Sequence, residues 1–129
     1  MPEPRIIQFG YRRHSDQDRT AADSARHPVV VVGAGPVGLT LAIDLAQRGH
    51  AVVLLDDADR IGDGSRAICF SKRSLELWDR LGVGERMVEK GVVWKVGKIF
   101  LSDDMLYRFD LLPEDGHKMP AFINLQQYY

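Results

Sequence analysis

The sequence predicts an α/β protein organised around a parallel sheet. Three observations carry that expectation: the unbroken β-branched run Val29-Val30-Val31-Val32, a glycine-rich turn directly after it, and a second apolar run over residues 51–55. A run apolar on both faces suits a central parallel strand flanked by helices, whereas a half-solvated antiparallel strand alternates. Strand, glycine turn, helix and strand within about thirty residues form a βαβ unit.

Residues 1–27 read as a polar arm. Arg12, Arg13, His14, Asp16, Asp18, Arg19 and Asp23 mix both charge signs, with no sustained period of two or 3.6. The arm is expected to be a mobile leader or a tail laid on the fold, with Phe9 and Tyr11 as anchors. Residues 28–91 hold the βαβ unit and the helices after it. A Leu- and Ala-rich helix over residues 39–48 stops at Gly49, the usual C′ residue. The second strand closes on Asp56-Asp57, and residues 57–65 form a loop. Ser71 is placed to cap the next helix, on which Leu75, Trp78 and Leu81 share one face, with Gly82 ending it. Residues 84–90 add a shorter helical turn.

The period then changes. Val92, Trp94, Val96 and Phe100 share one side of an extended segment, and Met105, Tyr107, Phe109 and Leu111 alternate in the next. Ser102-Asp103-Asp104 between them is turn chemistry, so residues 92–112 are expected to form an antiparallel hairpin. Residues 113–129 read as a loop, a short strand over residues 121–125, and the start of an incomplete helix from Gln126.

Composition excludes several functions. The 129 residues carry 17 Lys and Arg against 18 Asp and Glu, so neither nucleic acid nor an anionic membrane is an expected partner. One cysteine excludes an internal disulfide framework and a multi-cysteine metal site. His14, His27, His50 and His117 lack metal-ligand spacing. The N-terminus lacks a signal-peptide core, and the apolar runs are too short to span a bilayer. A cytoplasmic protein is the expectation. Cys69 is expected to be a buried, inert thiol, Ser65 and Ser71 lack a nucleophile pattern, and Trp78 and Trp94 are expected in the core. No residue is assigned as a catalytic acid, base or nucleophile.

The chemistry lies in Gly33-Ala34-Gly35-Pro36-Val37-Gly38. The triplet follows a strand, opens a helix, and has an acid roughly twenty residues on. Gly33 permits the tight turn, Gly35 admits a pyrophosphate close to the backbone, and Gly38 lets helix and sheet approach. The helix start aims N–H groups and a partial positive charge at phosphate. Pro36 costs little there, because its missing N–H would be unsatisfied anyway. Asp56 is expected to accept from the adenosine ribose hydroxyls, with Asp57 as its rival. A carboxylate there repels a 2′-phosphate, so a Rossmann-like unit for FAD or NAD is expected rather than one for NADP.

With those residues placed, the chain resembles the FAD-dependent aromatic hydroxylases of the para-hydroxybenzoate hydroxylase type, in the branch that includes hydroxyphenylpropionate hydroxylase. The marks are Val29 to Leu39, Ser65-Arg66-Ala67-Ile68, and Ile123-Asn124-Leu125-Gln126. The resemblance implies the N-terminal portion of a longer flavin-dependent monooxygenase. Such an enzyme takes FAD, NADH or NADPH as transient reductant, O₂, and a small aromatic, usually phenolic, substrate. A homo-oligomer is compatible with it. It also implies that Arg66 and Gln126 touch FAD, and that residues 92–112 begin the substrate-side sheet. The family most often carries Glu where this chain has Asp56, one methylene shorter.

Two other readings compete. An NAD-dependent dehydrogenase domain uses the glycines and Asp56 equally well, but it would continue βα after the second strand instead of turning into a hairpin. A truncated, non-catalytic nucleotide-binding fragment is the other. Two parallel strands and a hairpin leave much apolar surface uncovered, so these residues alone are expected to be inactive and loosely folded or poorly soluble.

Overall fold

The computed structural model describes residues 7–11, 13–20, 26–61 and 68–126, in two compact units, Met1–Asp63 and Gly64–Tyr129. In the first unit, strand β1 (Val29–Val32) leads through the glycine turn into helix α1 (Pro36–Gln47), and strand β2 (Val52–Leu55) returns parallel to β1. The register runs from Val29 opposite Val52 to Val32 opposite Leu55. This is the βαβ unit the periodicity foretold. The helix begins three residues earlier than its apolar pattern does, because Pro36 takes the first helical position with its φ already set. Gly49, at φ 83°, ends it in the left-handed conformation that favours glycine.

Burial in this unit is one-sided. Val31 is buried under α1, while Val30 and Val32 on the opposite face of β1 are 48% and 81% exposed. A strand covered on both faces was expected from its composition, and among the described residues only the α1 face is covered.

Residues 7–11 and 13–20 of the arm are more ordered than the pattern implies. A 3₁₀ turn at Ser15–Asp18 is closed by reciprocal capping: the His14 ring accepts from the Asp16 N–H, and Gln17 Oε1 accepts from the His14 N–H at 2.8 Å. Asp16 also meets His27 at 2.8 Å and Arg19 at 3.2 Å. Phe9 and Tyr11, expected as anchors, are instead 56% and 76% exposed. The attachment is made mostly by backbone: Gln8 lies antiparallel opposite Arg60, the Phe9 N–H donates to Asp59 O at 2.6 Å, and the Ile61 N–H donates to Ile7 O at 3.1 Å.

In the second unit, strand β3 (Cys69–Ser71) leads directly into helix α2 (Lys72–Arg80), followed by α3 (Gly84–Lys90), β4 (Val92–Trp94), β5 (Val96–Leu101), β6 (Asp104–Asp110) and β7 (Phe122–Asn124). Strand β7 is central, paired antiparallel with β3 on one side and β4 on the other. Leu75 and Trp78 of α2 and Leu81 at its C-cap form a buried stripe, and they pack with Met119, Ile123 and Leu125 as the core of the unit. Phe70 meets Trp78 edge-on, ring centroids 4.9 Å apart. Lys118 binds both carboxylate oxygens of Asp79, at 2.8 and 2.9 Å, and so ties the loop before β7 to α2.

Strands β5 and β6 form the expected hairpin, with a register shift at Ile99/Phe100 and Ser102 at φ 52° in the turn. The extended segment before the turn is two strands rather than one. It breaks at Lys95, with β4 pairing to β7 and only β5 entering the hairpin. Ser71 sits at the N-cap of α2, but its side chain makes no capping bond.

Cys69 is exposed rather than buried. Side chains alternate across a strand, and Phe70 takes the core side, so its neighbour Cys69 turns away. The thiol donates to Asn124 Oδ1 at 3.0 Å, and Trp94 Nε1–H donates to the same oxygen at 2.8 Å. Asn124→Leu is expected to leave the half-buried indole N–H unsatisfied and to lower stability by about 1–2 kcal/mol. Urea unfolding of the variant beside the wild type measures this.

Candidate cofactor-binding site

The glycine turn is fixed by contacts at its first and last residues. Gly33 adopts φ 100°, and its N–H donates to Leu55 O at 2.7 Å, so the turn is bonded to the end of β2. A Cβ on Gly38 would lie 1.8 Å from Gly33 O. The helix therefore starts against the turn at a separation only glycine permits. Gly35 is different. A Cβ added there meets nothing within 4 Å, so its lack of a side chain is not needed for packing. It is the N-cap of α1, with no side-chain capping bond, and the helix start faces an open groove lined by Gly33, Gly35, Val37 and Leu41. Such a helix end is suited to an anion.

Asp56 follows β2 directly and turns back onto the glycine turn. Its Oδ2 accepts from the Ala34 N–H in a short bond, and its Oδ1 accepts from the Ala58 N–H at 2.8 Å. The Ala34 N–H, then the Ala58 N–H, hold its carboxyl below the ordinary carboxylate range. Each carboxylate oxygen has a further acceptor position, so both remain able to take a hydroxyl donor. Asp56, not its neighbour Asp57, is the acid tied to the glycine turn.

Gly33, Ala34, Gly35, Pro36, Val37, Gly38 and Asp56 thus come together in one unit. Gln126 lies in the second unit, just after β7, and is half-buried. Arg66 falls outside the described residues. Sequence reasoning missed Ala58, whose N–H orients Asp56, and Asp59, which receives the arm. No local signal marks either, because both act through backbone groups or distant partners. Among the described residues, no group of three or more metal-ligating side chains occurs, and no helix is long and apolar enough to cross a membrane.

A parallel βαβ unit with a glycine turn at a helix start and an acid at the second strand end defines a dinucleotide-binding α/β protein. Residues 26–127 match the FAD binding domain family, and the chain belongs to it. It is 34% identical over 93 residues to a flavin-dependent monooxygenase of Mycobacteroides abscessus, covering 72% of this chain and 20% of that protein. It is 36% identical over 88 residues to a 3-(3-hydroxy-phenyl)propionate/3-hydroxycinnamic acid hydroxylase of Mycolicibacterium vanbaalenii, covering 68% of this chain and 15% of that one. Among solved structures, p-nitrophenol 4-monooxygenase PnpA from Pseudomonas putida DLL-E4 superposes with a TM-score of 0.67 at 27% identity, over 78% of this chain and 26% of that chain. The chain spans about a fifth, or less, of the length of these two curated relatives. The cofactor class is FAD, and the NAD-dependent dehydrogenase reading gives way to it.

Proposed function

We propose that this chain supplies the ADP-binding unit of a flavin-dependent monooxygenase that hydroxylates a small aromatic, phenolic substrate with O₂ and NADH or NADPH. The observation that carries the reading is the joined turn and acid: Gly33 bonded to the end of β2, Gly38 against Gly33, and Asp56 bonded to Ala34. The names of the curated relatives support the reaction class. In this reading the start of α1 receives the pyrophosphate, the open position at Gly35 admits it, and Asp56 accepts from the ribose hydroxyls. Arg66 and Gln126 supply further contacts to the cofactor, and the β5–β6 hairpin begins the substrate-side sheet. When bound, the flavin supplies the redox chemistry, and this chain's residues bind and orient it.

The test is a visible absorption spectrum of the full natural chain, identification of the cofactor released by heat, and assay with phenolic acids. Flavin bands, FAD in the supernatant, and O₂ uptake coupled to a hydroxylated product are expected. A colourless protein that takes up NAD instead overturns the reading.

Asp56 gives a pH prediction. Its folded-state pKa lies below the ordinary 3.8 because two backbone N–H groups favour the charged form. The carboxylate's contribution to the fold is therefore present above that ordinary value, and it is lost only as pH falls through the lower folded value. Asp56→Ala is expected to weaken FAD about tenfold at neutral pH, the loss of one charge-assisted contact. It is also expected to remove that acid step from a titration of FAD retention. Equilibrium dialysis across pH reads both.

A further inference from the structure

We propose that residues 7–9 of the N-terminal arm are a positioning element for the adenosine half of the cofactor, acting through the segment that follows Asp56. The inference rests on the reading that the βαβ unit holds the ADP moiety, and it adds a part outside residues 26–127, the stretch that matches the family.

Three bonds carry it. The Phe9 N–H donates to Asp59 O at 2.6 Å, the Ile61 N–H donates to Ile7 O at 3.1 Å, and Gln8 Nε2 donates to Asp59 Oδ2 at 2.8 Å. These hold residues 59–61 immediately after Ala58, whose N–H orients the Asp56 carboxylate at 2.8 Å. The path from arm to ribose acid is therefore continuous: arm backbone, Asp59, Ala58, Asp56. Asp59 meets the arm twice, once by its carbonyl and once by its carboxylate. The arm is itself held near the start of β1, where Asp16 binds His27 at 2.8 Å. It is thus attached both before β1 and after β2.

The segment after β2 is surface loop, and such a loop costs entropy to order around a ligand. A chain element that orders it beforehand lowers that cost. Only the ligand's adenosine half meets the end of β2 in a dinucleotide unit, so the benefit falls on FAD and not on FMN.

The experiment uses the full natural chain carrying two substitutions tested singly. Phe9→Pro removes the donor to Asp59 O, and Gln8→Ala removes the side-chain bond. Dissociation constants for FAD and for FMN are measured by quenching of flavin fluorescence, with a thermal melt of each variant. Phe9→Pro is expected to weaken FAD about tenfold and Gln8→Ala about threefold, each with FMN unchanged. Unchanged FAD affinity in both variants, or an equal loss for FAD and FMN, overturns the proposal. A wild-type chain that does not prefer FAD over FMN overturns the ADP-binding reading and this inference with it. A wild type that prefers FAD, with variants that match it, overturns the inference alone.

Discussion

Gly38→Ala is expected to cost the βαβ unit about 3 kcal/mol or more, and to take cofactor binding with it. Two effects oppose each other. Alanine favours a helix over glycine by about 1 kcal/mol. Against that, the new Cβ would lie 1.8 Å from Gly33 O and 3.0 Å from the Gly33 carbonyl carbon. Both neighbours are backbone, and neither swings aside like a side chain. Gly33 cannot retreat freely either, because its N–H is bonded to Leu55 O at 2.7 Å and its φ is already 100°. The helix must lift from the sheet, or the turn must leave β2, so the steric cost prevails. Thermal and urea unfolding of the full natural chain measure it. A variant with wild-type stability would show that α1 and the turn approach less closely than described.

Gly35→Val tests the other half of the motif and is expected to behave in the opposite way. A Cβ at Gly35 meets nothing within 4 Å, and its φ of −71° is one any residue adopts. The fold should lose no more than about 1 kcal/mol, the penalty for a poor N-cap residue. The same branched side chain would stand at the open helix start proposed to receive the pyrophosphate. FAD affinity is expected to fall about a hundredfold, equivalent to about 2.7 kcal/mol. A folded, colourless variant is the expected result. One that retains stoichiometric FAD refutes the role given to this glycine. The pair of substitutions therefore separates loss of fold from loss of ligand within one motif of six residues.

What was legible in the sequence was the local part. The β-branched run, the glycine spacing, the Leu75/Trp78/Leu81 stripe and the Ser102-Asp103-Asp104 turn each act within a few residues, and each is found where its pattern put it. What was not legible depends on partners far away in the chain. Strand β3 has three residues, too few to show a period, and although extended segments are expected over β4 and β7, their pairings, such as Cys69 with Asn124 and Val92 with Asn124, have no local mark. Cys69 was misjudged for the same reason: its exposure follows from Phe70 taking the core side, which only the pairing decides. The attachment of Gln8 to Asp59 spans 51 positions and uses mostly backbone groups, which every sequence possesses. Of the site, the turn and Asp56 could be read from spacing, whereas the Ala58 N–H that orients Asp56 could not.

The shared acceptor on Asn124 has a practical consequence. The 129 residues contain one cysteine, and its exposed thiol shares Asn124 Oδ1 with the indole of Trp94. Alkylating that thiol removes one of two donors from an oxygen whose other donor is a natural fluorophore. Attachment of a thiol-directed tag at Cys69 is therefore expected to report on itself. Its progress is expected to show as a change in the tryptophan emission, with Trp94 as the tryptophan bonded to the shared oxygen and Trp78 as a constant background, without an added dye.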